Sequence, residues 1–551
     1  MATSAAAKSP AGGNVVPMFA ILTITAVALL FLGSIALAVL HSLWWLIAVV
    51  IFAALLALAI YDVIQPRLAV LRIYPLLGHM RYLMEEIRPM IQQYFVERNW
   101  DGRPYDADAR ALIYERARGI HAEKSFGTEL EVRDSGYEYL LHSVVPGKRP
   151  KGEHRVVIGG PQCSQPFDVS LLNIASMSFG ALSVNAVRAM NRGAYKGGFF
   201  QESGEGGVTR YHLESGADIV WEFGSGYFGC RTPEGNFNPE MFAQRVVHPN
   251  IKGVLIKLSQ GAKPGLGGVL PAEKITSEIV EARGVVPGKD CISPPSHTAF
   301  TTPTELMQFV GQLRELSNGK PIGFKLCVGL RTDVLAIVKA MLETGILPDF
   351  IVVDGSEGGT GAAPLEYEDH VGTPLTEGLI LMHNALVGAG IRQHIKIGAA
   401  GKIVAGTDII RRIAQGADYC LAARAMMMAT GCIQAQRCHT NKCPTGVATQ
   451  NPRLYRGLDV DDKAEQVYHY HKSTVAETAQ MIATIGLDSP DQLRPAHIFR
   501  RVSQSRVESY AEAYDWLEPG ELLGTPRRSW AEDWNHADPH RFGPPISAGF
   551  R

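Results

Sequence analysis

Ile395-Lys-Ile-Gly-Ala-Ala-Gly401, followed after four residues by Gly406-Thr-Asp-Ile-Ile-Arg-Arg-Ile-Ala-Gln-Gly-Ala-Asp-Tyr-Cys-Leu-Ala-Ala-Arg-Ala425, reads as strand, glycine loop, helix, strand and short loop. Working back toward the N-terminus, the same texture recurs: short apolar runs ending in Gly-rich or polar tips, with helical spacing between them. The runs are Leu172 to Ser176, Gly198 to Glu202, Asp218 to Phe223, Gly253 to Leu258, Ile322 to Val328, Phe350 to Val353, Ile395 to Ile397 and Asp418 to Ala422. Strands alternating with helices predict a parallel sheet, and eight of them with polar carboxyl-terminal tips predict a (β/α)8 TIM barrel rather than an open doubly wound sheet. The opening stretch is then the seventh and eighth units, whose strand ends in such barrels often hold a phosphate on backbone N–H groups. Gly398 and Gly401 would let the backbone approach that phosphate, and Arg424 would add a charge. A glycine-rich turn taken alone is more often structural than not, and its place as the last two units of an eight-unit count reverses that in favour of the phosphate.

Outward from the barrel the chain changes character. Of its 551 residues 53 are Lys or Arg and 54 Asp or Glu, a net charge of −1, so there is no polyanion footprint and no nucleic-acid partner is expected. Between Lys8 and Asp62 there is no Asp, Glu, Lys or Arg at all. Met18 to Leu40 and Leu43 to Ile60 are two apolar runs parted by His41 and Ser42; at about 1.5 Å per residue they span roughly 34 and 27 Å, near the roughly 30 Å of a hydrocarbon core. They predict an N-terminal two-helix transmembrane hairpin over 17–62, behind a flexible N-terminus at 1–16. A signal peptide has a shorter apolar core, and buried soluble helices seldom run so long without charge. Arg67, Arg72, Arg81 and Arg88 follow the second run and the turn has no positive charge, so both ends are expected in the cytoplasm, with the hairpin in the cell (inner) membrane. Residues 63–150 read as a juxtamembrane adaptor, 151–480 as the barrel, and 481–551 as a tail that packs on the surface or is partly disordered. Eight Cys are too few for a disulfide scaffold and should be thiols or metal ligands on the reducing side.

Two further patterns carry chemistry. Lys257 and Lys325 each lie within an apolar strand, where a charge needs a partner. Either would stabilise a reduced flavin from its electron-rich edge, or pair with Glu202, Glu205 or Asp354. Cys432, Cys438 and Cys443 are spaced C-x5-C-x4-C, unlike the paired cysteines of a zinc ribbon. With Pro444 they suit an iron–sulfur cluster with three protein ligands over 431–446, with His439 a fourth ligand or a turn residue. Chance clustering of small hydrophobes is the alternative. Gly224-Ser-Gly-Tyr-Phe-Gly229 spells a dinucleotide fingerprint, but Cys230-Arg-Thr-Pro233 follows where the helix should begin.

Ser178-Phe-Gly-Ala-Leu-Ser183, Ser203-Gly-Glu-Gly-Gly207, Gln260-Gly-Ala-Lys-Pro-Gly265, Ile292-Ser-Pro-Pro295, Asp354-Gly-Ser-Glu-Gly-Gly-Thr-Gly-Ala-Ala-Pro364 and the segment Cys432 to Gln450 resemble, in that order, the FMN-binding synthase domain of glutamate synthase. The resemblance implies FMN, a [3Fe–4S] cluster, and formation of L-glutamate from 2-oxoglutarate and ammonia through 2-iminoglutarate. It places Met177, Ser178, Gly180 and Lys325 at the flavin and Gly398, Gly401, Ala423 and Arg424 toward its phosphate. Cys432, Cys438 and Cys443 would ligate the cluster, Gln260, Lys263 and Lys257 would bind 2-oxoglutarate, and Glu205 and Lys263 would be catalytic. Electrons would enter singly through the cluster from ferredoxin, a reductase subunit or a membrane quinol. No Cys precedes Cys163 to serve as an amidotransferase nucleophile, so ammonia is expected from elsewhere. Trp221 and Tyr227 stand where the family carries Lys and Arg, which admits another amine or oxo acid, as in N-methylglutamate-type synthesis. A membrane scaffold without catalysis is the remaining alternative.

Overall fold

A computed structural model describes residues 16–120, 123–150 and 152–543. The flexible N-terminus expected at 1–16 lies outside them, save for Val16. Two compact units divide the chain, 1–102 and 103–551.

In the first unit, α1 (Met18–Leu40) and α2 (Leu46–Ile64) are joined by a single turn whose Ser42 hydroxyl accepts a hydrogen bond from the Trp44 N–H. Both helices are long and apolar enough to cross a membrane. Leu22, Leu29, Leu40, Val50 and Ile51 stand exposed, a pattern that water disfavours and a bilayer does not. Asp62, near the end of α2, accepts hydrogen bonds from the Leu76 N–H at 3.0 Å and contacts His79 Nε2 at 3.0 Å.

In the second unit eight parallel strands close on themselves: β1 (Leu172–Ile174), β2 (Gln201–Glu202), β3 (Ile219–Phe223), β4 (Ile251–Lys257), β5 (Ile322–Leu326), β6 (Phe350–Asp354), β7 (Lys396–Ala400) and β8 (Tyr419–Ala422). Closure is made by β8 pairing with β1, Cys420 opposite Leu172. Each of the eight apolar runs overlaps one strand, and helices lie between successive strands, so the fold is a (β/α)8 barrel. The strands are apolar because they are buried on both faces, by the barrel interior and by the helices. The second strand is shorter than its run, with Gly198 in the left-handed conformation that ends the preceding helix.

Elements outside the barrel close its ends. A hairpin of Arg155–Ile158 and Phe167–Ser170 reaches the turns before β5 and β6, where the Gly160 N–H donates to Asp349 Oδ1 at 2.7 Å. The 26-residue helix Val460–Ile485 lies against Val184–Gly197 so closely that a Cβ on Gly193 would come 2.8 Å from the Ala464 carbonyl. The stretch 63–150 is divided between the two units. Its later part, with helix Ala107–Ala117, packs on the barrel. The described part of the tail, to Gly543, packs back on the chain: Ile498–Arg501 pairs with Glu138–Leu140, and Trp530 is buried beneath the Arg331 guanidinium, 3.8 Å from its ring centre.

Candidate active site at the carboxyl ends of the strands

The loops that follow the barrel strands bring most of the singled-out residues to one end of the barrel. After β2, Gly204 adopts a positive φ of 68°, and a Cβ there would sit 2.5 Å from the Ser178 nitrogen. Glycine is thus required both for the turn and for the contact that lays the β2 loop on Met177 and Ser178 of the β1 loop. The Gln450 side-chain amide donates to the carbonyls of Gly180 at 3.1 Å and Leu182 at 2.7 Å, tying the end of the cysteine segment to the same loop.

Lys257 ends β4, and its Nζ lies 2.8 Å from Glu205 Oε1. Glu205 fits between Gly224 and Gly268, whose added Cβ atoms would come 2.8 and 3.4 Å from its carboxyl oxygens. Burial alone would raise this carboxyl, but Lys257, Arg283 and Lys263 together hold it below its ordinary value. Lys263 is itself pushed down by burial, against the pull of Glu205. Glu205, Lys257, Gln260 and the Gly265–Gly268 turn line one narrow cleft with Pro294 and Pro295.

Lys325 takes a different position, deeper in the barrel. It is buried and its ammonium contacts the Glu222 carboxylate. Burial works against its charge, but Glu222, Glu202 and Asp354 outweigh it and hold Lys325 above its ordinary range. Of the two arrangements the sequence left open for it, the lysine takes the ion pair, with Glu222 as the partner.

At the seventh and eighth strand ends, Gly401 has a φ of 147° and Arg424 follows Ala423 at the start of a short helix. The Arg424 guanidinium donates to the Glu357 carbonyl at 2.6 Å and lies 5.0 Å from the centre of the Tyr105 ring. Lys402 stands beside it, its ammonium pushed down by burial and by the charges of Arg424 and Arg103. Three cations crowded at a glycine loop suit a phosphate group. Gly398 serves otherwise: it lies inside β7, where a Cβ would come 2.7 Å from the Tyr419 ring, so its absent side chain makes room in the barrel interior rather than in the loop.

Cys432, Cys438 and Cys443 are free thiols, near enough that charge on Cys438 and Cys443 bears on Cys432. Burial pushes Cys432 up to about 12 and raises Cys438. Cys443 is opposite: burial is outweighed by hydrogen bonds from the backbone of Ala448, Thr445 and Val447 and the Thr445 hydroxyl, which lower it. Among the described residues no three His, Cys, Asp or Glu side chains are placed to hold a single metal ion. Three separated soft ligands suit a multi-iron cluster better than one ion.

Several participants were not evident from the sequence. Tyr105 and Gln434 exchange hydrogen bonds, N–H to Oε1 at 3.1 Å and Nε2 to carbonyl at 3.0 Å, and Tyr114 donates to the Cys432 carbonyl at 2.9 Å. Lys274 Nζ donates to the Cys438 carbonyl at 2.7 Å. Trp221 and Tyr227 do not face the cleft. Trp221 stacks on Phe242, ring centres 5.3 Å apart, and the Tyr227 hydroxyl accepts from the Thr298 and Ala299 N–H groups. After Gly229 the next helix begins at Pro239, so the 224–229 glycines do not open onto a helix N-terminus.

A parallel eight-stranded barrel with its charged groups gathered at the carboxyl ends of its strands has the layout of a barrel enzyme. The conserved region in glutamate synthase matches residues 151–488, and the chain belongs to that family. It is 33% identical over 489 residues to the glutamate synthase large subunit-like protein YerD of Bacillus subtilis, covering 81% of this chain and 93% of the relative. With the archaeal NADPH glutamate synthase of Methanocaldococcus jannaschii it shares 35% identity over 322 residues, 58% of this chain and 60% of the relative. Among solved structures, mandelate oxidase aligns with a TM-score of 0.40 at 13% identity, over 78% of this chain and 98% of that one.

Proposed function

We propose that this chain is a membrane-anchored oxidoreductase of the glutamate synthase type, which binds FMN and a [3Fe–4S] cluster and converts 2-oxoglutarate and ammonia to L-glutamate. The observation that carries the reading is the cleft lined by Glu205, Lys257 and Gln260 at the carboxyl end of the barrel, where Lys257 pairs with Glu205 and the charge of Lys263 also bears on it. Two ammonium groups beside one carboxylate leave a net positive site for a dicarboxylate.

Arg103, Lys402, Gly401, Ala423 and Arg424 would hold the FMN phosphate, with Met177, Ser178, Gly180 and Lys325 toward the ring. Bound there, FMN supplies hydride chemistry. Lys257 and Gln260 bind the oxo acid. Glu205, kept ionised by its cationic neighbours, orients the incoming ammonium. Lys263, whose ammonium burial makes easier to deprotonate, exchanges a proton at Nζ as the carbonyl oxygen departs as water. Cys432, Cys438 and Cys443 would ligate the cluster. Electrons would come from ferredoxin or a reductase subunit, and α1 and α2 would hold the enzyme at the membrane with the barrel on the Arg67 to Arg88 side, the cytoplasmic one.

The test is an anaerobic spectrum of the reduced, detergent-purified protein as 2-oxoglutarate and ammonium are added. Flavin reoxidation that needs both supports the reading. A reducible flavin indifferent to both, yet reoxidised by another oxo acid with an amine such as methylamine, replaces the substrate pair while keeping the barrel and flavin.

A further inference from the structure

Behind the cleft lies a group of acids that the reaction above does not use. Ser176, just beyond β1, donates its backbone N–H to Glu202 Oε2 at 2.8 Å, and its hydroxyl oxygen lies 2.5 Å from the same atom. The same hydroxyl contacts Glu222 Oε2. A serine hydroxyl carries one proton, so it donates to one carboxylate and needs the other contact to be donated to it. With both glutamates ionised, one of these contacts would set two lone pairs against each other. One carboxyl must therefore hold a proton.

The surroundings say which. Lys325 contacts Glu222 directly, which stabilises that carboxylate as the charged partner. Glu202 Oε1 is buried without a hydrogen-bond partner, an arrangement costly for a carboxylate and tolerable for a neutral acid. The charged and titratable groups facing the pair are Lys325 from β5, Asp354 from β6 and Tyr419 from β8. Lys257 from β4 acts on Asp354.

We infer that Glu202 is a charge-setting residue of the site: it shares one proton with Glu222 through the Ser176 hydroxyl, and its ionisation adds a negative charge beneath the anion-binding mouth of the barrel. Burial, reinforced by Glu222 and opposed by Lys325, pushes the Glu202 carboxyl up to about 7, so the change falls in the neutral range. With Glu202 neutral, Lys325 faces two carboxylates, Glu222 and Asp354. With it ionised, three. The effect on a bound flavin rests on the flavin reading proposed above; the proton sharing does not.

The test uses the full-length holoenzyme and its infrared spectrum. The carbonyl stretch of a buried carboxylic acid is expected below about pH 7 and is expected to vanish on titration above it. Glu202→Gln should lack the band at every pH. Glu222→Gln, which removes the competing charge and frees Lys325 for Glu202, should lose it at neutral pH. A wild-type spectrum without the band, or a band unchanged in both variants, overturns the proton sharing. The midpoint potential of the bound flavin should show an additional pH-dependent step in the same range, absent in Glu202→Gln. A wild-type potential without that step overturns the charge-setting role. Neither readout uses 2-oxoglutarate, so a failed substrate test leaves the proton sharing standing, and the reverse.

Discussion

Replacing Lys325 by Met would leave Glu222, Glu202 and Asp354 facing one another with the cation among them gone. Breaking a buried pair by removing one partner costs about 3–5 kcal/mol, because the other charge stays buried. A drop of that size in unfolding free energy, read by denaturant titration with the slope unchanged, is the expected outcome. A loss near zero would mean that the acids take up protons instead, and the carboxylic-acid band in the infrared should then grow. This residue also shows how far a single position can be read. A lysine inside an apolar strand is conspicuous in the sequence, and so is its need for a partner. Its partner in the barrel was harder to identify: Glu202 was visible as one choice, whereas Glu222 sits next to Trp221 in a strand buried at every position, and burial gives no alternation from which to tell the inward side chain from the outward one.

At the scale of elements, the eight strands were legible because each is a short apolar run closed by a polar or glycine tip, a signal local to the run. The pairing of Glu138–Leu140 with Ile498–Arg501 and the docking of residues 103–117 were not, because each depends on a partner hundreds of residues away. The last matters most for the site. Tyr105 lies under the Arg424 guanidinium and grips Gln434 at the start of the cysteine segment, so one short stretch supports both the Arg424 loop, proposed to hold the phosphate, and the thiols. Tyr105→Ala should weaken FMN binding, by roughly fivefold if about 1 kcal/mol of cation–π contact and packing is lost. Fluorescence titration of the stripped protein measures it, and an unchanged affinity would detach this stretch from the phosphate site. Cys438→Ala acts on the neighbouring loop differently. It should abolish the paramagnetic and visible signals of the proposed cluster while flavin stays bound. Retained signals would remove Cys438 from the ligands.

For the molecule as a whole, the near balance of 53 basic and 54 acidic residues hides a core that holds its histidines neutral. Burial lowers His212, His297 and His383 to about 4 and His471 to about 3, against 6.5 for the ordinary group. His471 lies between the Ser170 hydroxyl and the Leu172 carbonyl, both at 2.9 Å, at the point where the barrel closes. In the window between about 4 and 6.5 the unfolded chain binds protons at these four sites that the folded chain does not. Stability from this source therefore rises with pH through the window and is lost as the solution is acidified. Each histidine contributes up to about 1.4 kcal/mol per pH unit there. Glu202 works in the opposite sense, since the folded state keeps its proton up to about 7 while the unfolded carboxyl releases it near 4.5. The two signs can be separated by substitution. His297→Asn should make the dependence of unfolding free energy on pH shallower by up to one proton between about 4 and 6.5, and Glu202→Gln should make it steeper in their shared range. Denaturant melts across that range decide the matter: a slope that His297→Asn leaves untouched would mean that His297 is charged in the folded barrel, and the hydrogen bond assigned between its ring and the Lys257 carbonyl would then be the donor of an imidazolium.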